Sequence, residues 1–317
     1  MARRYYCLAD GPSVSIRAHI PIISAIVLLF LFIGGCTFGI LAFVNHKENV
    51  EIEQLWDDVR NQAGGTTYLE NTTQQEPISD ETSPVLVDID SKKGYNGLSA
   101  TEYGPMDRTF DWDYLNSLNP DIMCWISIPD TPVDYPVLKE QKNGTYYYIN
   151  HDVTKKSSSA GSLFVPKAPD GYDELDAHLL IFGHNMIRTD IMFNSLLKYE
   201  DEAYYLEHPF IYVYYPDRTE QWSVWSTLHI HADKSIYTGS KDKGQTNEVY
   251  NLPLEAGTKL YEDVIDYMDS NKYYNAANKP SCNDKILVLS TCDRTDGYGQ
   301  DGRFLVNAVL KASIVKQ

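Results

Sequence analysis

Three side chains far apart in the chain are of the types that acyl transfer requires: the thiol of Cys292, the imidazole of His184 and the guanidinium of Arg303. A thiolate attacks a carbonyl, an imidazole carries the proton, and a forked, permanently charged donor steadies the oxyanion that forms. A free thiol with a pKa of about 8.5 is only about 3% ionised at pH 7, so such chemistry needs a base or a cation beside the sulfur. Cys292 ends an alternating stretch, 285–291, in which Ile286, Val288 and Ser290 share its face. His184 follows Gly183 after the apolar run Leu179-Leu180-Ile181-Phe182, again at the mouth of a strand. Arg303 opens the next apolar stretch, and an antiparallel hairpin across 293–302 would bring it to Cys292. Ser290, on the face of Cys292, is a candidate substrate contact or a packing residue. Taken one at a time, a lone Cys or Arg is more often structural.

The other titratable side chains are weaker candidates. His19 and His46 flank an apolar segment, and His151 and His208 stand in turn-like settings beside Asp152 and Pro209. His229 and His231 share one strand face, half of a metal site, but no matching carboxylate or Cys pair lies nearby, so they read as packing residues. No metal and no cofactor are expected. Five cysteines, Cys7, Cys36, Cys124, Cys282 and Cys292, leave three after the apolar segment, and an odd number leaves at least one thiol unpaired. Cys124, within Met123-Cys124-Trp125-Ile126, reads as a small buried hydrophobe, and Cys282 as a loop residue. Whether those two pair is left open.

Positioning such groups takes a rigid scaffold. Short apolar runs at 124–128, 133–138, 146–149, 162–165, 178–182, 210–215, 222–231, 285–291 and 303–311, punctuated by Pro, Gly and Asp, predict a closed barrel or a sandwich. Twenty-four tyrosines point the same way. Helical spacing of Phe110, Tyr114, Leu115 and Leu118 predicts a helix stopped by Asn119-Pro120, and helical insertions are expected at 192–199 and 254–274. The longer one presents Leu260, Val264, Ile265 and Met268 as a stripe.

Residues 20–44 carry no charge, and as a helix would measure roughly 37 Å, enough to span a bilayer with some tilt. Arg3, Arg4 and Arg17 precede them, and Glu48, Glu51, Glu53, Asp57 and Asp58 follow. The positive-inside rule then places 1–19 in the cytoplasm and the rest outside, as a single-pass membrane protein. A cleaved signal peptide would have a shorter apolar core, and a lipoprotein reading of Ile33-Gly34-Gly35-Cys36 conflicts with the apolar run continuing to Val44. Residues 45–109 read as an acidic juxtamembrane helix and flexible stalk, with eleven acids against the single Arg60 between 48 and 90, and 110–317 as one extracellular catalytic domain. With 27 basic and 44 acidic residues, a net charge of −17, and no basic cluster, nucleic acid is excluded as a partner.

At the three candidate residues the sequence resembles the class B sortases. Leu289-Ser290-Thr291-Cys292 is similar to that family's Cys motif, Gly302-Arg303 to its Arg motif and Gly183-His184-Asn185-Met186 to its His motif. Asn119-Pro120-Asp121, Val133-Asp134-Tyr135-Pro136-Val137, Tyr148-Ile149-Asn150-His151-Asp152, Gly161-Ser162-Leu163-Phe164 and His208-Pro209 follow in the family's order, over about 200 residues. Val288 departs from a Thr found in many relatives, and Asp293 stands where some carry Glu. The lid and the C-terminal span of pilin-polymerising class C members are not read here.

The resemblance implies a mainly β fold, an eight-stranded sortase barrel with an N-terminal helical segment and a long helix before the Cys-bearing strand, which helps shape the peptide groove. It implies a membrane-anchored cysteine transpeptidase with Cys292, His184 and Arg303 as the catalytic residues. Its partners would be surface proteins bearing a C-terminal sorting signal, cleaved after Thr through a thioacyl intermediate, and a peptidoglycan precursor amine of a Gram-positive cell wall. Two other classes fit some of the residues. A secreted thiol hydrolase of papain type would put Cys before His and at a helix start, the reverse of this order; a non-enzymatic wall-associated binding module would not need Cys292.

Overall fold

Alternating side chains divide each strand between two cores, and this division sets the architecture. The computed structural model describes residues 20–64, 86–88, 106, 108–139, 146–166, 177–187, 189–231, 254–276, 279–293 and 302–315, with the backbone alone for 20–36, 38–41, 86–88 and 231. The strands are β1 (Leu86–Asp88), β2 (Ile122–Ser127), β3 (Asp134–Lys139), β4 (Leu163–Val165), β5 (His178–Gly183), β6 (Phe210–Tyr214), β7 (Arg218–His231), β8 (Ile286–Cys292) and β9 (Gly302–Val315). Eight of them run in the order β9-β7-β6-β2-β3-β4-β5-β8, and β8 pairs back onto β9, closing a barrel. Closure removes the open edges that would otherwise invite pairing with other chains. β1 adds outside the ring, with Leu86 opposite Ile314. Pairings β3–β4 and β5–β8 are parallel and the others antiparallel.

Along β8, Leu287 and Leu289 join one core with Leu179 and Ile181 of β5 and Phe304, Val306 and Ala308 of β9. Ile286 and Val288 point the other way, into a second core with Leu180, Trp225, Leu305 and helix α4 (Lys259–Ser270). Both faces of the strand carrying Cys292 are thus packed. Thr258 caps α4 by accepting from the Tyr261 N–H. Its buried stripe is Tyr261, Val264, Ile265 and Met268, whereas Leu260 is exposed. The expected stripe is therefore off by one place: the Tyr261 hydroxyl donates within reach of the carbonyls of Ala177 and Asp284, a polar anchor that Leu cannot provide.

Helix α1 (Ile20–Gln62) is continuous, and helix α2 (Trp112–Leu118) is capped by the Asp111 side chain at the Tyr114 N–H and ends at Asn119. Two compact units divide the chain at Met1–Glu51 and Ile52–Gln317. In the first, Lys47 pairs with Glu51 one helical turn away. The second reaches further back than the expected boundary at 110. Ile52, Trp56, Val59 and Ala63 are buried in the barrel-side core, with Trp56 edge-on to Tyr135 at 5.4 Å. Arg108 forms a bidentate pair with Asp134, whose carboxylate also accepts from the Trp125 indole. The acidic run hid this because its apolar residues, Ile52, Trp56 and Val59, recur at helical spacing among the charges. Most of the expected stalk lies outside the described residues. Among the residues whose side chains are described, no helix is long and apolar enough to cross a membrane.

Two further expectations change. Residues 146–149 form a short 3₁₀ turn, Tyr147–Ile149, instead of a strand. Buried Tyr148 fixes it by donating to Asp121 and accepting from Asn119. The insertion expected at 192–199 is a 3₁₀ helix, Asn194–Glu200, followed by the short helix α3 (Glu202–Glu207).

Candidate active site

Cys292 and Arg303 face each other directly in the β8–β9 ladder. On the other side of β8, Gly183 is level with Thr291, whose hydroxyl donates to the Gly183 carbonyl at 2.8 Å, so His184 leaves β5 one residue beyond that tie. Gly183 has no room for a side chain, since a Cβ there would strike Leu163 and Phe193. Cys292, His184 and Arg303 all line one pocket, with Ser290, Thr291, Gly183, Tyr146, Ile149, Phe164 and Phe182. Its cavity volume is about 50 Å³. That is room for a small side chain or a water or two, so a peptide would lie across it rather than within it. One wall is aromatic, with Phe164 and Phe182 rings 5.6 Å apart and Tyr146 6.2 Å from Phe182.

His184 Nε2 lies 2.6 Å from the Ile149 carbonyl. A carbonyl only accepts, so Nε2 carries a proton. Gly161, at φ +58°, lets its segment pass against the same turn: a Cβ would strike the Ile149 oxygen and meet that of Tyr148 at 2.6 Å. The Asn185 amide donates to the Cys292 carbonyl at 3.0 Å and accepts from Asn194. The N–H after the nucleophile, that of Asp293, donates to the Gly302 carbonyl, which also accepts from Arg303 Nη1 at 2.8 Å.

Ser290 is fully buried, and its Oγ has no hydrogen-bond partner among the described residues. Cys124, Cys282 and Cys292 are all free thiols. Cys124 is completely buried and burial pushes its thiol pKa up, as suits an inert packing residue. Among the described residues no group of His, Cys, Asp and Glu could hold a metal ion. Arg294 lies outside the described residues, as does the side chain of His231. None of the pocket's described lining comes from α4, which packs on the second core instead of shaping this part of a groove.

No protein-family profile matches the chain. It is 30% identical over 197 residues to sortase B of Listeria monocytogenes, covering 62% of this chain and 72% of that protein. The chain belongs to the sortase B family. A second class B sortase, from Staphylococcus aureus, is 23% identical over 205 residues, 65% of this chain and 75% of that protein. The fold agrees with solved class B sortases: that of Clostridium perfringens, in a mutant form, superposes with a TM-score of 0.51 at 23% identity over 63% of this chain and 85% of that one. A Bacillus anthracis sortase B gives 0.55 at 18% identity over 86% and 100%. As a class B sortase the protein is a cysteine transpeptidase.

Around the candidate site of this sortase stand residues that its motifs did not disclose. Asn185 was visible as the neighbour of His184, but not its bond to Cys292. The Ile149 carbonyl carries no side-chain signal at all. His229, read from sequence as packing, contacts the Asp293 carboxylate beside the nucleophile. Adjacency to Cys292 was the available clue to Asp293; nothing local pointed to His229.

Proposed function

We propose that Cys292 is the nucleophile of this sortase, His184 its acid and base, and Arg303 its oxyanion donor. The observation that carries the reading is their convergence, from two strand ends and one strand start, on a single pocket. The Cys292 sulfur attacks the carbonyl carbon of Thr in a C-terminal sorting signal. The C–N bond breaks as His184 gives a proton to the departing amine, leaving a thioacyl enzyme. An acceptor amine, from a peptidoglycan precursor, then attacks the thioester while His184 takes its proton, and the sulfur leaves as thiolate beside the reprotonated imidazole. With Nε2 held by Ile149, Nδ1 is the nitrogen assigned to that exchange. Because the Asp293 N–H is committed to Gly302, most of the oxyanion's stabilisation falls to Arg303. Burying a hydroxyl without a partner costs about 1–3 kcal/mol, which favours a substrate contact for Ser290.

The uncharged stretch 20–44, with arginines before it and acids after it, supports anchoring by one N-terminal helix with the catalytic unit outside the cell. Surface proteins for attachment to the wall are then its substrates. The reading is tested by incubating the enzyme with a labelled sorting peptide with and without an amine acceptor. Acceptor-dependent formation of an amide product is expected. Product formation indifferent to added amine would instead mean a thiol hydrolase, and full function after Cys292→Ala a binding module.

A further inference from the structure

On the face of the β8–β9 sheet opposite Cys292 and Arg303, a second histidine sits behind the nucleophile. His229 of β7 is level with Phe304 of β9, which is level with Thr291 of β8. Asp293, the residue after Cys292, turns to that same face. Its carboxylate, 1% exposed, contacts Nε2 of His229, whose side chain is 4% exposed. The same nitrogen is 3.4 Å from the partly exposed Glu200 carboxylate, and Nδ1 shares a hydrogen bond with the Tyr273 hydroxyl. Phe304 covers the ring at 4.9 Å. A buried carboxylate is costly unless held by a partner, and this one is held one peptide bond from the reacting thiol.

The position explains what such an arrangement does. Asp293 is fixed twice, by its N–H at Gly302 and by its carboxylate at His229, while Asn185 holds the carbonyl of Cys292. The backbone on the C-terminal side of the nucleophile is therefore tied to β7 and to the first residue of β9. Two apolar side chains of similar size often pack as stably as a buried polar pair, so stability alone does not account for a pair at this place.

We propose that His229, oriented by Tyr273, is a positioning residue that acts through Asp293 to keep the Cys292 sulfur aimed at the pocket and level with Arg303. This rests on the reading of Cys292 as nucleophile and adds to it residues that do not touch substrate.

The test uses the full-length chain in detergent and the variants His229→Gln, His229→Leu, Asp293→Leu and His229→Leu/Asp293→Leu. Each is measured for melting temperature, kcat and KM with a sorting peptide and amine, and the rate of Cys292 alkylation by iodoacetamide. Either single change to Leu strands a buried polar partner and threatens folding, so the double variant, which buries none, keeps the question open to decision. It is expected to fold, with kcat lowered at least tenfold, KM within threefold, and alkylation slowed at least threefold. Where the single variants fold, their losses should not add, since both break the same link. His229→Gln, which keeps a neutral donor near Nε2, should retain more kcat than His229→Leu. A folded double variant with kcat and alkylation within twofold of the parent would overturn the proposal, as would equal kcat for the Gln and Leu variants. Should the parent turn over no sorting peptide, the transpeptidase assignment fails, and the alkylation ratio alone decides the positioning role.

Discussion

The side-chain amide of Asn185 donates to the main-chain carbonyl of Cys292 at 3.0 Å, across 107 residues of sequence. The residue after the candidate base thus holds the backbone of the candidate nucleophile, and Asn194 orients the amide from its far side at 2.7 Å. Replacing Asn185 with Ala removes one hydrogen bond, worth about 0.5–1.5 kcal/mol. Transpeptidation kcat should fall up to about tenfold with little change in melting temperature. Steady-state kinetics beside a thermal melt check this, and unchanged kcat would mean that the two strand ends align without the link.

Arg303 is fixed by its place opposite Cys292 in the ladder. A planar fork cannot be replaced by an ammonium, and losing one preorganised oxyanion donor costs about 2.7–4 kcal/mol. Arg303→Lys and Arg303→Ala should each lower turnover about 100 to 1,000-fold in a folded protein. Arg294→Ala, in the connection between β8 and β9, should cost less than about tenfold. Kinetics with circular dichroism on the three variants decide: a near-normal Arg303→Ala enzyme or an inactive Arg294→Ala enzyme would transfer the role.

Gly161 is required where its segment passes the carbonyls of Tyr148 and Ile149. Gly161→Ala forces those carbonyls away, and the Ile149 oxygen is the one that meets His184. Overpacking of this kind costs about 1–3 kcal/mol. A lower melting temperature together with a drop in kcat is expected. A destabilised variant whose folded fraction kept full kcat would show that the Ile149 carbonyl does not matter to His184.

Burial raises the phenol pKa of several tyrosines, Tyr204 and Tyr274 to about 12 and Tyr199 and Tyr215 well above the usual range. An unfolded tyrosine ionises near about pH 10, so above that pH the unfolded chain binds fewer protons than the folded one. This contribution to stability is complete below about pH 10 and is lost as pH rises through about 12. Melting temperature should therefore decline across that window, with tyrosinate absorbance appearing together with unfolding. A melting temperature level to about pH 11.5 would contradict it.

Much of this was legible in the sequence for a physical reason. Strand alternation put Cys292 on the face of Val288 and Ser290, and a hairpin put Arg303 opposite, because register follows from a period of two. The barrel followed from short apolar runs between turn residues. What escaped depends on contacts that no local pattern encodes. Residues 146–149 read as a strand by composition, yet Tyr148 is claimed by Asp121 and Asn119 from another segment. Trp56 and Val59 sat in an acidic run whose charge concealed a docked helix face. His229 gave no sign of its partner because Asp293 is 64 residues further on.

If Cys292 is the nucleophile it forms a covalent acyl intermediate, which mass spectrometry of the intact enzyme detects after brief exposure to a library of Thr-containing pentapeptides without acceptor amine. The expected result is an adduct with the mass of a peptide truncated after Thr, mapped to Cys292, absent from Cys292→Ala and discharged by added amine. An adduct on Cys282, or amide product formed by Cys292→Ala, would contradict it.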